Sequence, residues 1–118
     1  MALNVSAALP DKFVRAIHLT ETGGRVGAIR GDGGKALGPL QIHYACWKDC
    51  NVPGTYNQCT NLAYSTKVME AYMNKYARKY IASKDFQSMA RIWNGGPAGY
   101  RRAATIGYWN KVKHNLDK

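Results

Sequence analysis

Residues 20–43 read TETGGRVGAIRGDGGKALGPLQIH, and this glycine-rich stretch is the feature around which the rest of the chain is organised. It holds seven of the twelve glycines of the protein, which disfavours a continuous helix through it. It also holds two acidic residues, Glu21 and Asp32, in a chain with seven Asp and Glu against seventeen Lys and Arg. These two carboxyls are therefore the first candidates for a functional role.

The hydrophobic pattern on either side of this stretch predicts a mostly helical α+β protein. A first helix is expected to begin near Pro10, because proline suits the first turn, and to end at Gly23. Residues 25–37 alternate weakly, which favours a short, loose β-hairpin or a loop. Further helices are predicted from Pro39 to about Asp49, from Asn61 to about Tyr80, from Phe86 to Gly95 and from about Thr105 to His114.

The length and the start of the chain bound its organisation. We expect the 118 residues to form a single domain, residues 1–118, with its own core. No apolar run approaches the roughly 20 residues that span a bilayer. The opening MALNVSAALPDKF lacks the basic and long apolar segments of a signal peptide. The expected location is therefore intracellular, unless a signal has been removed.

The net charge of +10 favours polyanionic partners. Nucleic acid, an anionic membrane surface and the acidic polymers of bacterial cell walls all fit this charge. The alternative is a charge that serves solubility alone. Because no nucleic-acid-binding motif accompanies the charge, nucleic acid is not expected as a partner.

The three cysteines are too few for a disulfide scaffold, and their number is odd. Cys46 and Cys50 are four residues apart in a predicted helix, and with His43 they would share one face of it. Since a structural zinc site needs four ligands and no fourth has suitable spacing, we expect no metal site. The cysteines are then expected to be small buried thiols, with a Cys50–Cys59 bridge as an alternative.

Glu21 is predicted to be a carboxyl with a raised pKa. It lies four residues after Ile17 and eight after Phe13, so it continues the apolar face of the first helix. A negative charge is unfavourable both at the C-terminal end of a helix and beside apolar side chains. Both effects raise the pKa, and a carboxyl that stays protonated near neutral pH can act as a general acid.

Asp32 is expected to stay ionised. Its neighbours in the sequence are glycines, Arg30 and Lys35, which provide no apolar wall. Two carboxyls with pKa values pushed apart are the usual pair for glycoside hydrolysis, and glycines let the backbone approach a bulky sugar closely. The alternative is that Asp32 belongs to an ordinary Asp-Gly-Gly turn.

Four further segments carry a resemblance to a known family. After Asp32 come GPLQI (38–42), CWKDC (46–50), ARIWNGGPAGY (90–100) and TIGYWNKV (105–112). In this order and spacing, from about Phe13 to Val112, they resemble the invertebrate-type lysozymes, also called the destabilase family. Glu21 matches the general acid of that family, and Asp32 matches its second carboxylate, the nucleophile or electrostatic stabiliser.

The resemblance implies a lysozyme-like fold, in which a helical body and a small β-hairpin enclose a substrate cleft. It implies hydrolysis of β-1,4 linkages in peptidoglycan or chito-oligosaccharides, with retention of configuration and without a cofactor. Gln41, Trp93, Asn94 and the backbone of Gly95 would line the cleft. The alternatives are core packing for Trp93 and a helix C-cap for Asn94 and Gly95.

The resemblance also carries expectations for the surroundings of the enzyme. A basic chain would be steered to an anionic bacterial surface. The resemblance implies a secreted, lysosomal or phagosomal location. We also expect the protein to be a monomer.

The chain departs from the family at the loop that carries Asp32. Gly24 and Leu37 occupy positions where cysteines are expected, and Lys35 and Ala36 occupy a stretch that usually holds serine. The loop around Asp32 would then be held by packing alone.

Two other functions fit many of the same residues. A lytic transglycosylase would use Glu21 alone and has a similar block near Ile92–Pro97, but it has no use for Asp32. A non-catalytic protein that binds carbohydrate or cell wall on the same scaffold needs neither carboxyl.

Overall fold

Helices dominate the computed structural model, which describes residues 6–118. Its six helices are α1 (Asp11–Thr22), α2 (Tyr44–Cys50), α3 (Leu62–Tyr76), α4 (Arg78–Ser83), α5 (Phe86–Gly95) and α6 (Ile106–Leu116). The three strands, each of two residues, are β1 (Arg30–Gly31), β2 (Ala36–Leu37) and β3 (Ile42–His43). Short 3₁₀ turns occupy Asp32–Gly34, Tyr56–Thr60, Gly99–Arg101 and Ala103–Thr105. The α+β fold class with a dominant helical body is confirmed.

The first helix begins and ends where the sequence predicts. Phe13, Ala16 and Ile17 form its buried face and are fully inaccessible to solvent. Gly23 adopts a left-handed conformation with φ 67° after the last turn, and its N–H donates to the carbonyl oxygen of Leu19 at 2.9 Å. The helix therefore stops directly after Glu21 and Thr22, at the point where the glycine-rich stretch begins.

A small antiparallel sheet follows, with strand order β1-β2-β3. Arg30 pairs with Leu37 across the first hairpin, and Ala36 pairs with His43 across the second. The predicted hairpin within residues 25–37 is confirmed. The third strand was not predicted, because its residues fall in the segment from Pro39 to about Asp49 that was expected to be helical.

The prediction that Pro39 opens a helix is wrong. Gly38 and Gln41 both have positive φ, 86° and 54°, and the N–H of Gln41 donates to the carbonyl oxygen of Gly38 at 3.0 Å. Pro39 therefore lies in a tight turn between β2 and β3, and the helix begins at Tyr44. As a result His43 is a strand residue, and it does not continue the helical face of Cys46 and Cys50.

The long helix predicted from Asn61 to about Tyr80 is interrupted. It ends at Tyr76, and Ala77, with φ −137°, separates it from α4. The predicted helices that end at Gly95 and near His114 agree with α5 and α6 within two residues.

The core lies between α1, α3, α5 and α6, and its largest buried side chains include Met69, Met73, Met89 and Val112. Helix α1 packs against α6, which in turn contacts α5. None of the helices within residues 6–118 combines the length and apolar character needed to cross a membrane. A cleft separates the helical body from the small sheet.

All three cysteines are free thiols, so the alternative of a Cys50–Cys59 bridge is wrong. A hydrogen bond between the thiols of Cys46 and Cys50 raises the pKa of Cys46 and lowers that of Cys50. Burial raises the pKa of Cys59 to about 11. Within the described residues, no group of three metal-ligating side chains comes together.

Hydrogen bonds hold the sheet to the body in place of disulfides. The hydroxyl of Thr22 donates to the buried carbonyl oxygen of Pro39 at 2.9 Å, and Tyr56 donates to that of Ile42 at 2.6 Å. A Cβ on Gly38 would overlap the carbonyl oxygen of Cys59, so this glycine permits close contact between the turn and the 3₁₀ segment Tyr56–Thr60. The expectation that packing alone holds the loop is therefore incomplete.

Because no disulfide contributes to the fold, a reducing agent should leave the melting temperature unchanged within about 1 °C. A native bridge contributes about 2–4 kcal/mol, so its reduction would lower the melting temperature by several degrees. Differential scanning calorimetry with and without reductant measures this. As a control, a thiol reagent added to the unfolded, unreduced chain should count three free thiols; a count of one would reveal a bridge.

Candidate active site

A cleft of about 550 Å³ lies between the sheet and the helical body. It is lined by Glu21, Asp32, Ala36, Gln41, Ile42, His43, Cys46, Tyr72, Trp93 and Asn94. Five of the six residues predicted for the site are therefore together, although they come from α1, the Asp32 turn, the turn before β3 and α5. Gly95 is the exception.

Glu21 lies on the last turn of α1, partly buried, where the helix reaches the cleft. Burial is the largest influence on its carboxyl, and it raises the pKa above the ordinary value of 4.5. Hydrogen bonding from Tyr108 and Trp93 and the field of Lys111 oppose this rise and offset part of it. The direction agrees with the prediction from the apolar face of α1.

Tyr108 of α6 is the direct partner of Glu21, and its hydroxyl donates to Glu21 Oε2 at 2.8 Å. Burial, followed by the charge of Glu21, raises the pKa of Tyr108 well above its usual value, so that the phenol keeps its proton. This residue was not predicted from the sequence. Helical spacing puts Tyr108 on the same face as buried Val112, but spacing does not reveal a partner 87 positions away.

Asp32 occupies the opposite wall in a different environment. It begins the 3₁₀ turn Asp32–Gly34 with φ 51°, and its side chain is 66% exposed. His43 Nε2 lies 3.3 Å from Asp32 Oδ2 and forms an ion pair when the imidazole is protonated. Arg30 and Lys35 are the cationic neighbours of Asp32 in the sequence, but its observed partner, His43, comes from β3. The missed strand explains the missed partner.

Gln41 lines the cleft, but it also supports the Asp32 turn. Its Nε2 donates to the carbonyl oxygens of Gly38 at 2.9 Å and Ile29 at 3.2 Å. A Cβ on Gly31 would overlap Gln41 Oε1, so the amide packs directly on the backbone of β1. Both amide hydrogens are therefore engaged within the protein, and the side chain positions the loop.

The far end of α5 supplies Trp93 and Asn94. The indole of Trp93 packs edge-on against Tyr72, with ring centroids 5.6 Å apart, and the partly exposed ring borders the cleft. Asn94 is exposed at the rim. Gly95 is absent from the lining of the cleft, and a Cβ there would overlap Cγ2 of Thr105. The residue that caps the helix is Gly96, one position after the predicted cap.

Residues 14–115 match the family model described as Destabilase. The chain is 40% identical over 106 residues to Lysozyme 1 of Crassostrea virginica, covering 87% of this chain and 58% of that protein. It is 35% identical over 106 residues to a lysozyme of Meretrix lusoria, covering 87% of each. The crystal structure of Tapes japonica lysozyme superposes with a TM-score of 0.77 at 30% identity, covering 92% of this chain and 93% of that chain.

The buried carboxyl should make the stability of the protein depend on pH. Because the folded state raises the pKa of Glu21, its contribution to stability is complete below pH 4.5 and is lost as the pH rises through the folded-state pKa. Glu21→Gln keeps an acceptor for Tyr108 without the charge. We therefore expect this variant to unfold at higher urea concentration than the wild type at pH 7, with little difference at pH 4.

The matched control is Glu70→Gln, which removes the same charge from the other glutamate, on α3. Urea unfolding at the two pH values compares the three proteins. A Glu21→Gln variant that is less stable than the wild type at pH 7 would contradict the description of Glu21 as a destabilised, buried acid.

Proposed function

Because the chain belongs to the destabilase family, the family of the invertebrate-type lysozymes, we propose that it hydrolyses the β-1,4 linkages of bacterial peptidoglycan. The observation that carries the proposal is the pair of carboxyls on one cleft, one buried and one exposed. The burial of Glu21 favours its protonated form, as a general acid requires. The relatives named as lysozymes agree with this chemistry.

Glu21 is the proposed general acid. Burial raises the pKa of the carboxyl and so favours its protonated form, and the proton passes to the glycosidic oxygen as the bond to the leaving sugar breaks. Tyr108 orients the carboxyl through Oε2. After the first step the same carboxylate accepts a proton from the attacking water, since a retaining enzyme uses one residue as acid and then base.

Asp32 is the proposed nucleophile or electrostatic stabiliser of the sugar cation. The exposed carboxylate lies on the wall opposite Glu21 and faces the same cleft. Gln41 holds the backbone of β1 next to it, and His43 restrains its orientation. Glycoside hydrolysis uses two carboxyls that flank the scissile bond, and the presence of Glu21 and Asp32 in one cleft supports this pair. Retention is the stereochemistry that the resemblance to the family implies.

The predicted sugar contacts are Gln41, Trp93, Asn94 and the backbone of Gly95. We keep Trp93 and Asn94 in that role because both border the cleft, one with an aromatic face and the other with an amide that suits an N-acetyl group. Gly95 we propose instead as a packing residue that lets α5 approach Thr105. Gln41 then shapes the site and is not its main polar contact.

The remaining proposals concern organisation and partners. Residues 1–118 would act as one catalytic domain and as a monomer, in a secreted or lysosomal setting where the enzyme meets bacterial surfaces. The charge of +10 would draw it to the anionic wall. A lytic transglycosylase remains the second candidate, because Asp32 is exposed and Glu21 alone would serve that reaction.

The catalytic assignment is tested with Glu21→Gln and Asp32→Asn. Loss of a general acid should lower the rate of peptidoglycan hydrolysis at least 100-fold, and loss of the nucleophile should cost at least as much. Glu70→Gln should behave as the wild type. Rates are measured by release of reducing sugars, and proton NMR of early products should show the β anomer.

Each other outcome points to a different function. Anhydro ends with an active Asp32→Asn variant would mean a transglycosylase, and α products would make Asp32 a base. A folded wild type that releases nothing would be a binding protein. Activity above a few per cent in Glu21→Gln would remove Glu21 from the mechanism.

The role of the net charge is tested with salt. Raising the ionic strength from about 0.01 M to 0.15 M shortens the Debye length from about 30 Å to 8 Å, so lysis of whole cells should slow. Hydrolysis of a neutral chito-oligosaccharide should change little under the same conditions. Equal sensitivity of the two substrates would contradict electrostatic steering to the wall.

A further inference from the structure

A second hollow adjoins the cleft on the far side of the Asp32 turn. Its volume is about 440 Å³, and Arg30, Lys35, His43, Tyr44 and Tyr56 contribute side chains to its lining. His43 borders both cavities, so the hollow and the cleft are neighbours at this residue.

Three aromatic rings pack together beside the hollow, and two of them, Tyr44 and Tyr56, line it. The ring centroid of Tyr44 lies 5.5 Å from that of Trp47 and 5.4 Å from that of Tyr56, and the Trp47 and Tyr56 centroids are 5.9 Å apart. Tyr56 is fixed by its hydrogen bond to Ile42, and Trp47 Nε1 donates to the hydroxyl of Tyr64 at 2.9 Å. Tyr44 rests on these two rings and remains 53% exposed.

Two other residues that line the hollow, Arg30 and Lys35, are cationic. Nη1 of Arg30 donates to the carbonyl oxygen of Gly34 at 3.2 Å, which holds the guanidinium over the turn. Its charge acts on the hydroxyl of Tyr56, where it offsets part of the rise in pKa caused by burial. In the part of the chain that the structure describes, neither Arg30 nor Lys35 forms an ion pair with a carboxylate. Two cations are thus available to an anionic ligand.

We propose that this hollow is a subsite for a sugar residue that carries an acidic peptide substituent. The apolar face of the sugar packs on the ring of Tyr44, because the negative face of an aromatic ring attracts polarised C–H bonds. A carboxylate of the peptide meets Arg30 and Lys35. The inference rests on the proposed function, and it adds a preference for peptide-bearing glycan over neutral glycan.

The chemistry of the hollow distinguishes the two substrate classes. A neutral chito-oligosaccharide uses Tyr44 but leaves both cations unpaired. A peptide-bearing strand uses all three side chains. The exposed position of Lys35 limits each ionic contact to a modest gain, so the preference is expected to be a matter of several-fold.

Binding to catalytically inactive protein tests the subsite. In the Glu21→Gln background, calorimetry compares a tetrasaccharide of alternating N-acetylglucosamine and peptide-bearing N-acetylmuramic acid with neutral tetra-N-acetylchitotetraose. Lys35→Gln should weaken binding of the peptide-bearing ligand about threefold, and the double variant Arg30→Gln with Lys35→Gln about tenfold, with no change for the neutral ligand. Tyr44→Ala should weaken both ligands.

Two controls separate the subsite from general effects of charge and folding. Lys113→Gln removes one exposed charge from α6, far along the chain from the hollow, and should leave both affinities unchanged. Arg30→Lys keeps the charge while losing the fork of the guanidinium, and should retain most of the binding. Circular dichroism of each variant establishes that it is folded.

The inference is overturned if Lys35→Gln and the double variant bind both ligands as the background protein does, or weaken both equally. Hydrolysis by the wild type is measured separately. Wild-type hydrolysis with no effect of these substitutions leaves the proposed function standing and removes the subsite. Selective weakening without wild-type hydrolysis supports the subsite and removes the enzyme.

Discussion

The burial of the Glu21 carboxyl against Tyr108 and Trp93 is the interaction on which the site depends. It requires α1 to stop at Gly23, so that its last turn faces the cleft, and it requires α6 and α5 to deliver the two aromatic side chains. Burial disfavours the charge, while the phenol and indole hold the group in place. Burial therefore favours the protonated carboxyl over the carboxylate, which is the form that a general acid needs.

The small sheet and its turns form the other wall of the cleft, and they hold the exposed side chain of Asp32 without a disulfide. Gln41 packs on Gly31 and binds two carbonyl oxygens, so its positive φ and its amide together set the course of the turn. The hydroxyls of Thr22 and Tyr56 donate to the carbonyl oxygens of Pro39 and Ile42, and so attach the segment between β2 and β3 to the helical body. Hydrogen bonds thus hold this wall without a disulfide, and the side chain of Asp32 remains exposed.

Local signals in the sequence predicted α1, α5 and α6, because apolar periodicity and terminal glycines act within a few residues. They failed at Pro39, because proline is common both in turns and at the start of helices. The positive φ values of Gly38 and Gln41, which define the turn, cannot be read from this pattern. Glu21 could be predicted as a buried acid from its own helix face. Tyr108 and His43 could not be assigned as partners, since their contacts depend on how distant elements pack.

The pKa of Glu21 is the quantity that tests this account most directly. The chain has only two glutamates, so ¹³C labelling of glutamate gives two side-chain carboxyl signals, and Glu21→Gln identifies one of them. A pH titration by NMR should show Glu21 titrating above 4.5, and Tyr108→Phe should move it higher still because a hydrogen bond to the carboxylate is lost. A pKa at or below 4.5 in the wild type would contradict the account.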